Sequence, residues 1–423
     1  MNIHIYYLKH LYKNISEIKI LWGNLKMEKI EPSLLGIETK KLENCSGLNT
    51  AKEIVHQPHA WREAVGNLVI NKENIKAFLD NFFDKEDFRI ILTGAGTSAF
   101  AGETCESYLT SILNKRVEAI ATTDLVASPR NHFIKDIPTL LISFARSGNS
   151  PESVFAVELA KKLVDDLYQI VITCNEEGKL AKNTQADDKS LLLLMPPQTN
   201  DLGFAMTSSF TTMVLSAIGV FNIDNIDNYS KDVEILASSV EKFIDENYFK
   251  VNHLANESFD RIVYLGSGTS KGIARESSLK VLELTAGIVN ANYDTPLGFR
   301  HGPKSVVDDS TITVIYVSND EYTRKYDIDL TNEMLHHRKN DKVVVVGCDV
   351  DEEIANKADY YFNLDKLNYS VENEALLPLQ QIIFGQLLSF FKSINLGITP
   401  DNPCPTGEVN RVVKGVILHN LDK

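Results

Sequence analysis

The feature that most constrains the fold of this chain is an internal repeat. Residues 89–98 read RIILTGAGTS and residues 261–270 read RIVYLGSGTS, 172 residues apart in a chain of 423. A period that long excludes a solenoid, whose units run to about 20–50 residues, and points to a duplicated domain. Each copy is a short apolar run, a Gly-x-Gly-Thr-Ser turn and then a helical pattern.

Further apolar runs follow each copy. The first half has them at 117–121, 139–144, 169–173 and 191–195, the second at 312–317, 342–347 and 360–364. They are continuously apolar and rich in Val, Ile and Leu, the pattern of strands buried on both faces of a parallel sheet. Helical patterns such as 152–167 and 270–286 lie between them. Strand alternating with helix predicts an α/β fold with right-handed crossovers. The expectation is two doubly wound α/β domains, at 51–225 and 226–390, with a leader and N-terminal segment at 1–50 and a tail at 391–423. A helix is expected over 49–65, with Asn49 or Thr50 as N-cap, Glu53 in its first turn and a break at Gln57-Pro58. The last helix should start near Pro378 and run to about Ile394.

Composition limits what such a chain binds. Lys and Arg number 43 against 57 Asp and Glu, a formal charge of −14. That disfavours nucleic acid, which is held by neutralising phosphates. It leaves room for a small anion, because a few local donors hold a phosphate even in an acidic protein. Cys45, Cys105, Cys174, Cys348 and Cys404 show no metal-ligand spacing and read as free thiols of a reducing, cytoplasmic compartment. No apolar run approaches the ~18 residues of a membrane span. Residues 1–26 have neither an apolar centre nor a cleavage site, and contain no Arg. They do not read as a targeting segment, and Met27 is the expected natural start.

Gly94-Ala95-Gly96-Thr97-Ser98 follows a strand and opens a helix. Such a turn exposes N–H groups and hydroxyls to an anion. A tight βα turn with no ligand is the plain alternative. A dinucleotide site would need a sixth-position glycine, where Ala99 stands. A second segment, Ser143-Phe144-Ala145-Arg146-Ser147-Gly148-Asn149-Ser150, sets three serines and an arginine at another strand's C-terminal end, with Pro151 and Glu152 to start a helix. Ligands of open α/β sheets bind there, and the donors suit a phosphate monoester. The alternative is that Ser150 is only an N-cap. In the second half the equivalent stretch is Val317-Ser318-Asn319-Asp320-Glu321, where Asp320 and Glu321 are expected to repel a phosphate.

The second half has its own unusual stretch. Glu276, Lys280 and Glu283 fall on one helix face. A solvated ion pair with a charged neighbour would explain that spacing equally well. His301 sits in Arg300-His301-Gly302-Pro303-Lys304, a loop cluster without a partner at metal-ligand spacing.

Together, GxGTS, ARSGNS, the ESSLKVLE helix and HGP resemble the sugar isomerase (SIS) fold, in two copies from about Asn49 onward. The arrangement is similar to the isomerase half of glucosamine-6-phosphate synthase. TAKEIVHQPHAW, SFARSGNSPESV, TPLGFRHGPKS and PDNPCPTGEVNRVV resemble the D-galactosamine-6-phosphate deaminase/isomerase family, also described as tagatose-6-phosphate ketose/aldose isomerases.

The resemblance implies two SIS domains, each a mostly parallel, flavodoxin-like five-stranded sheet flanked by helices. It implies a phosphate site from Thr97, Ser98, Arg146, Ser147 and Ser150, with Ser143 nearby. It makes Glu283 the base moving a proton between C2 and C1, beside Lys280, and His301 the ring-opening group, supplied by a neighbouring subunit of a dimer or tetramer. The Schiff-base lysine of the synthase falls near Lys414, in a tail of different spacing. The implied reaction takes D-galactosamine 6-phosphate and water to D-tagatose 6-phosphate and ammonia, with no cofactor, metal, nucleic acid or membrane. Isomerisation without deamination is the near alternative. A non-catalytic sugar-phosphate regulator is the distant one, and it would have no need of Glu283 and His301.

Overall fold

The computed structural model describes residues 33–184, 188–337, 340–371, 374–413 and 415–421. The expected start at Met27 and the position of Lys414 lie outside them. A small antiparallel hairpin, β1 (Ser33–Leu34) with β2 (Ile37–Glu38), precedes two five-stranded sheets. The first sheet holds β3 (Arg89–Thr93), β4 (Val117–Ala119), β5 (Thr139–Ala145), β6 (Leu167–Thr173) and β7 (Ser190–Leu194), ordered β4-β3-β5-β6-β7. The second holds β8 (Arg261–Gly266), β9 (Asn290–Asp294), β10 (Thr311–Tyr316), β11 (Lys342–Gly347) and β12 (Tyr360–Asn363), ordered β9-β8-β10-β11-β12.

Every pairing within the two sheets is parallel. Counted within its own half, each sheet runs 2-1-3-4-5, the flavodoxin-like order. The duplication read from the repeat is therefore a duplication of topology. The central strands are apolar on both faces because both faces are covered: every residue of β3 and β5 is buried.

Sequence expectations differ from the structure in a few places. The strand β9 was not expected, because NANYD is a polar edge strand with exposed residues. The helix after β5 spans Pro151–Leu163, since Leu167 already opens β6. The predicted break near Gln57 separates the helices Leu48–Val55 and Gln57–Ile70. The first of these is capped neither by Asn49 nor by Thr50. Asp401, far along the chain, accepts from Asn49 N–H at 3.1 Å and from Thr50 N–H at 2.8 Å. This carboxylate on an N-terminal turn pins the start of the tail to the body. The last helix is Leu377–Asn395.

The two halves meet through equivalent helices, Thr97–Leu113 and Ser270–Leu284, each of which follows its repeat turn. Their contact is close because Gly272 has no side chain: a Cβ there would lie 2.4 Å from Thr104 Oγ1 and 2.7 Å from Thr104 N. That approach brings Thr97 of the first half against Glu276 and Lys280 of the second. Among the described residues no helix is long and apolar enough to cross a membrane.

Candidate active site

The site lies at the C-terminal ends of the parallel neighbours β3 and β5, whose following connections run to opposite edges of the first sheet, the switch point at which such sheets bind ligands. Thr97, Ser98, Arg146, Ser147, Ser150 and Glu283 line one cleft of about 220 Å³. Five of these belong to the first half and Glu283 to the second, so the helix contact at Gly272 assembles the site.

The cradle is built by two turns. In the first, Gly96 has φ +56° and Thr97 begins its helix. In the second, Gly148 has φ +64°, and Asn175 Nδ2 donates to the Ser147 carbonyl at 2.8 Å. Ser150 does occupy the N-cap position of the Pro151–Leu163 helix, but its side chain makes no capping bond and it lines the cleft. The hydroxyl of Thr97 is already engaged: it donates to Glu276 Oε1 at 3.2 Å and accepts from Lys280 Nζ at 3.0 Å. Thr97 thus joins the cradle to the second half rather than offering its hydroxyl proton to an anion.

Arg146 is buried, with Nη1 on the carbonyls of Gly203 and Phe204 at 3.4 and 3.2 Å and Nη2 on the carbonyl of Arg411 at 3.0 Å. Burial, and then the Arg411 cation, draw its pKa down from the ordinary value. Two arginines therefore set a positive field over the cradle, and among the described residues no carboxylate is bridged to Arg146. The loop beneath is tied by Glu53, which accepts from the N–H groups of Leu202 and Gly203. Burial, and then Asp201, push the Glu53 carboxyl up to about 7.

The triad on the Ser270–Leu284 helix is not a solvated pair. Glu276 and Lys280 are fully buried, and Glu283 reaches the cleft. Lys280 Nζ contacts Glu276 at 3.2 Å and bonds to Glu283. Burial alone would lower the Lys280 ammonium, yet Glu276 and Glu283 carry it above its ordinary value. Burial raises Glu276 to about 8, outweighing Lys280. Near neutrality Lys280 keeps its charge and Glu276 its proton, and the Lys280 ammonium is fixed by Thr97, Glu276 and Glu283.

Two candidates lie elsewhere. His301 is exposed on the turn after Phe299 and does not line the cleft of its own chain. Ser143 is buried within β5, away from the cleft lining. Sequence reasoning missed the cleft's other wall: Phe204 and Met206, and Val409, Asn410, Arg411 and Val413 from the tail. Arg411 donates to the carbonyls of Asn200 and Asp201. The segment PDNPCPTGEVNRVV that contains it carried a family resemblance but no role for the arginine, which stands beside valines in a stretch otherwise built of turn residues. Asp320 Oδ1 accepts from Thr323 N–H at 2.8 Å as a helix cap, and Glu321 is exposed on the first turn of that helix. Among the described residues no group of three His, Cys, Asp or Glu is placed to hold a metal.

Comparison with known proteins agrees with the two-sheet fold. The SIS domain family matches residues 82–221 and 253–383, one match per sheet. D-galactosamine-6-phosphate deaminase AgaS of Escherichia coli is 43% identical over 375 residues, 88% of this chain and 96% of that protein. Its counterpart in a Shewanella species is 42% identical over 396 residues, 93% of this chain and 97% of the relative. The crystal structure of tagatose-6-phosphate ketose/aldose isomerase from Escherichia coli aligns with a TM-score of 0.81 at 40% identity, covering 89% of this chain and 98% of that one.

Proposed function

We propose the function of this chain from one premise: it belongs to the SIS-domain family, and within it to the D-galactosamine-6-phosphate deaminases. It is an amino-sugar phosphate deaminase–isomerase that converts D-galactosamine 6-phosphate and water to D-tagatose 6-phosphate and ammonia. The observation that carries the reading is the single cleft in which Glu283 faces the Arg146–Ser150 cradle.

The 6-phosphate sits on Ser98, Ser147 and Ser150 and the N–H groups of the two turns, under the field of Arg146 and Arg411. Tethering the phosphate presents C1 and C2 of the opened sugar to Glu283, and such positioning removes much of the entropic barrier. Glu283 takes the C2 proton, and electrons shift to give the C1–C2 enolamine. The same carboxyl returns the proton to C1, O1 having taken a proton and the amino group given one up to solvent, leaving a C2 imine with a C1 hydroxyl. Water adds to the imine carbon, the C–N bond breaks, and ammonia leaves as the ketone forms. Lys280 holds the Glu283 carboxylate in place.

Ring opening needs an acid/base at the ring oxygen. His301 has this role from a second copy of the chain, which its exposure outside its own cleft favours; the protein is accordingly a homo-oligomer, a dimer or tetramer. Five free cysteines suit a reducing cytoplasm.

One assay tests the reading: incubation with galactosamine 6-phosphate and, separately, glucosamine 6-phosphate, with ammonia and ketose measured together. Equal release of ammonia and ketose from the galacto substrate is expected. A protein that interconverts tagatose and galactose 6-phosphates without ammonia release would be a pure isomerase and would overturn the deaminase assignment.

A further inference from the structure

The second half repeats the topology of the first but not its open cradle. Strand register aligns the two: Thr139 stands opposite Arg89 as Thr311 stands opposite Arg261. Ser318 and Asn319 are therefore the counterparts of Arg146 and Ser147. Their donors are directed to carboxylates of the chain itself. Ser318 N–H donates to Asp327 Oδ2 at 2.9 Å, and Ser267 Oγ donates to Asp327 Oδ1 at 2.6 Å. Ser318 Oγ donates to Glu374 Oε2 at 2.6 Å, and Asn319 N–H donates to the other Glu374 oxygen.

Glu374 lies in the connection between β12 and the last helix. That connection has the same length as its counterpart in the first half, from Leu194 to Ser208 against Asn363 to Leu377. The residue that corresponds to Glu374 is thus Ala205, flanked by Phe204 and Met206 of the open cleft. Glu374 also has φ +56°. A residue with a side chain keeps that conformation only where its surroundings hold it. Here the surroundings are the two donors that grip its carboxylate.

We propose that the second half retains an anion-binding cradle, and that Glu374 occupies it as an internal surrogate for a phosphate. The inference rests on the assignment of the first cradle as a phosphate site. A carboxylate and a phosphate monoester are recognised by the same backbone N–H and hydroxyl donors. The wild-type chain then takes one phosphate, in the half that carries Ala205, and a chain without the Glu374 side chain takes two.

The test counts inorganic phosphate bound per chain by equilibrium dialysis, for wild type and for Glu374→Gly, which suits the positive φ. One site in wild type and two in the variant are expected, with the second lost again on adding Ser318→Ala. One site in each overturns the inference and leaves the first cradle intact. No site in wild type and one in the variant keeps the inference and rejects the first cradle as a phosphate site. Two sites in wild type, or none in either, overturn the inference. Circular dichroism confirms folding. Should the glycine variant not fold, Glu374→Asn, neutral, shorter and tolerant of the same φ, decides by the same count.

Discussion

The two halves begin from the same turn and end as different instruments. Gly94 and Gly266 make the same close approach to the serine four residues on, and both sheets run 2-1-3-4-5. In the first half the β5 turn opens into a cleft lined by serines and floored by Arg146. In the second the β10 turn is closed on Glu374 and Asp327. The chemistry divides the other way: the helix after the first turn ends without a carboxylate in the cleft, and the helix after the second carries Glu276, Lys280 and Glu283. On the proposed function, a duplicated sheet separates holding a phosphate from moving a proton, provided the two helices touch. The touch is at Gly272 and Thr104.

The comparison breaks most visibly at its catalytic arm. Glu283→Gln keeps the shape and removes the carboxylate proposed as the base, so turnover should fall on the order of 10²–10⁴-fold while sugar-phosphate binding stays within a few-fold. Unchanged ammonia release in that variant would reject Glu283 as the base. The binding arm breaks next. Ala205→Glu sets in the first half the carboxylate that closes the second. KM for the phosphorylated sugar should rise on the order of 100-fold, because like charges brought together cost several kcal/mol. Ala205→Gln is the control for bulk at this fully buried position. Equal losses in the two variants would mean that volume, not charge, distinguishes the cradles.

Much of this was legible in the sequence, for reasons that differ between its parts. The repeat and the apolar runs disclosed both sheets, because strands buried on both faces carry their own signal. The edge strand β9 was not disclosed, since NANYD obeys no such pattern. The cradle residues were readable because turns need particular residues at particular places. The state of Glu276 and Lys280 was not: i, i+4 spacing is the same for a solvated pair as for a buried one, and burial is decided by packing between halves. Glu374, Ala205 and Arg411 were beyond local reading for the same reason. Glu374 and Arg411 act on turns far from them in sequence, and Ala205 is matched to Glu374 only by strand register and the equal length of the two connections.

A smaller effect tests a single donor. Ser147→Ala removes one hydroxyl from the phosphate site, a loss of about 1.5–3 kcal/mol for a hydrogen bond to a charged group. KM for phosphorylated sugars should rise by about tenfold or more while kcat holds. A KM that stays put would assign the phosphate to other residues.

The smallest effect concerns the proton on Glu276, and it separates the buried triad from any reading of it as a solvated pair. Its pKa is raised to about 8, mainly by burial, far above the ordinary carboxylate range. A folded-state pKa raised above the unfolded value means that the folded chain binds the extra proton. That stability is complete below the unfolded pKa of about 4.5 and is lost as pH climbs through about 8. Wild type should therefore lose thermal stability relative to Glu276→Gln, which is neutral at every pH, as pH rises from about 4.5 to about 8, and the difference should level off above that. Glu53, raised to about 7, and Asp327, raised to about 6, slope the same way but are common to both proteins and cancel in the difference. Activity should follow: an ionised Glu276 competes with Glu283 for the Lys280 ammonium and loosens the base, so kcat declines above about pH 8 in wild type and not in the variant. A Tm difference that is flat from about pH 6 to pH 9 would show that Glu276 does not titrate there, as a carboxylate in free contact with water would not.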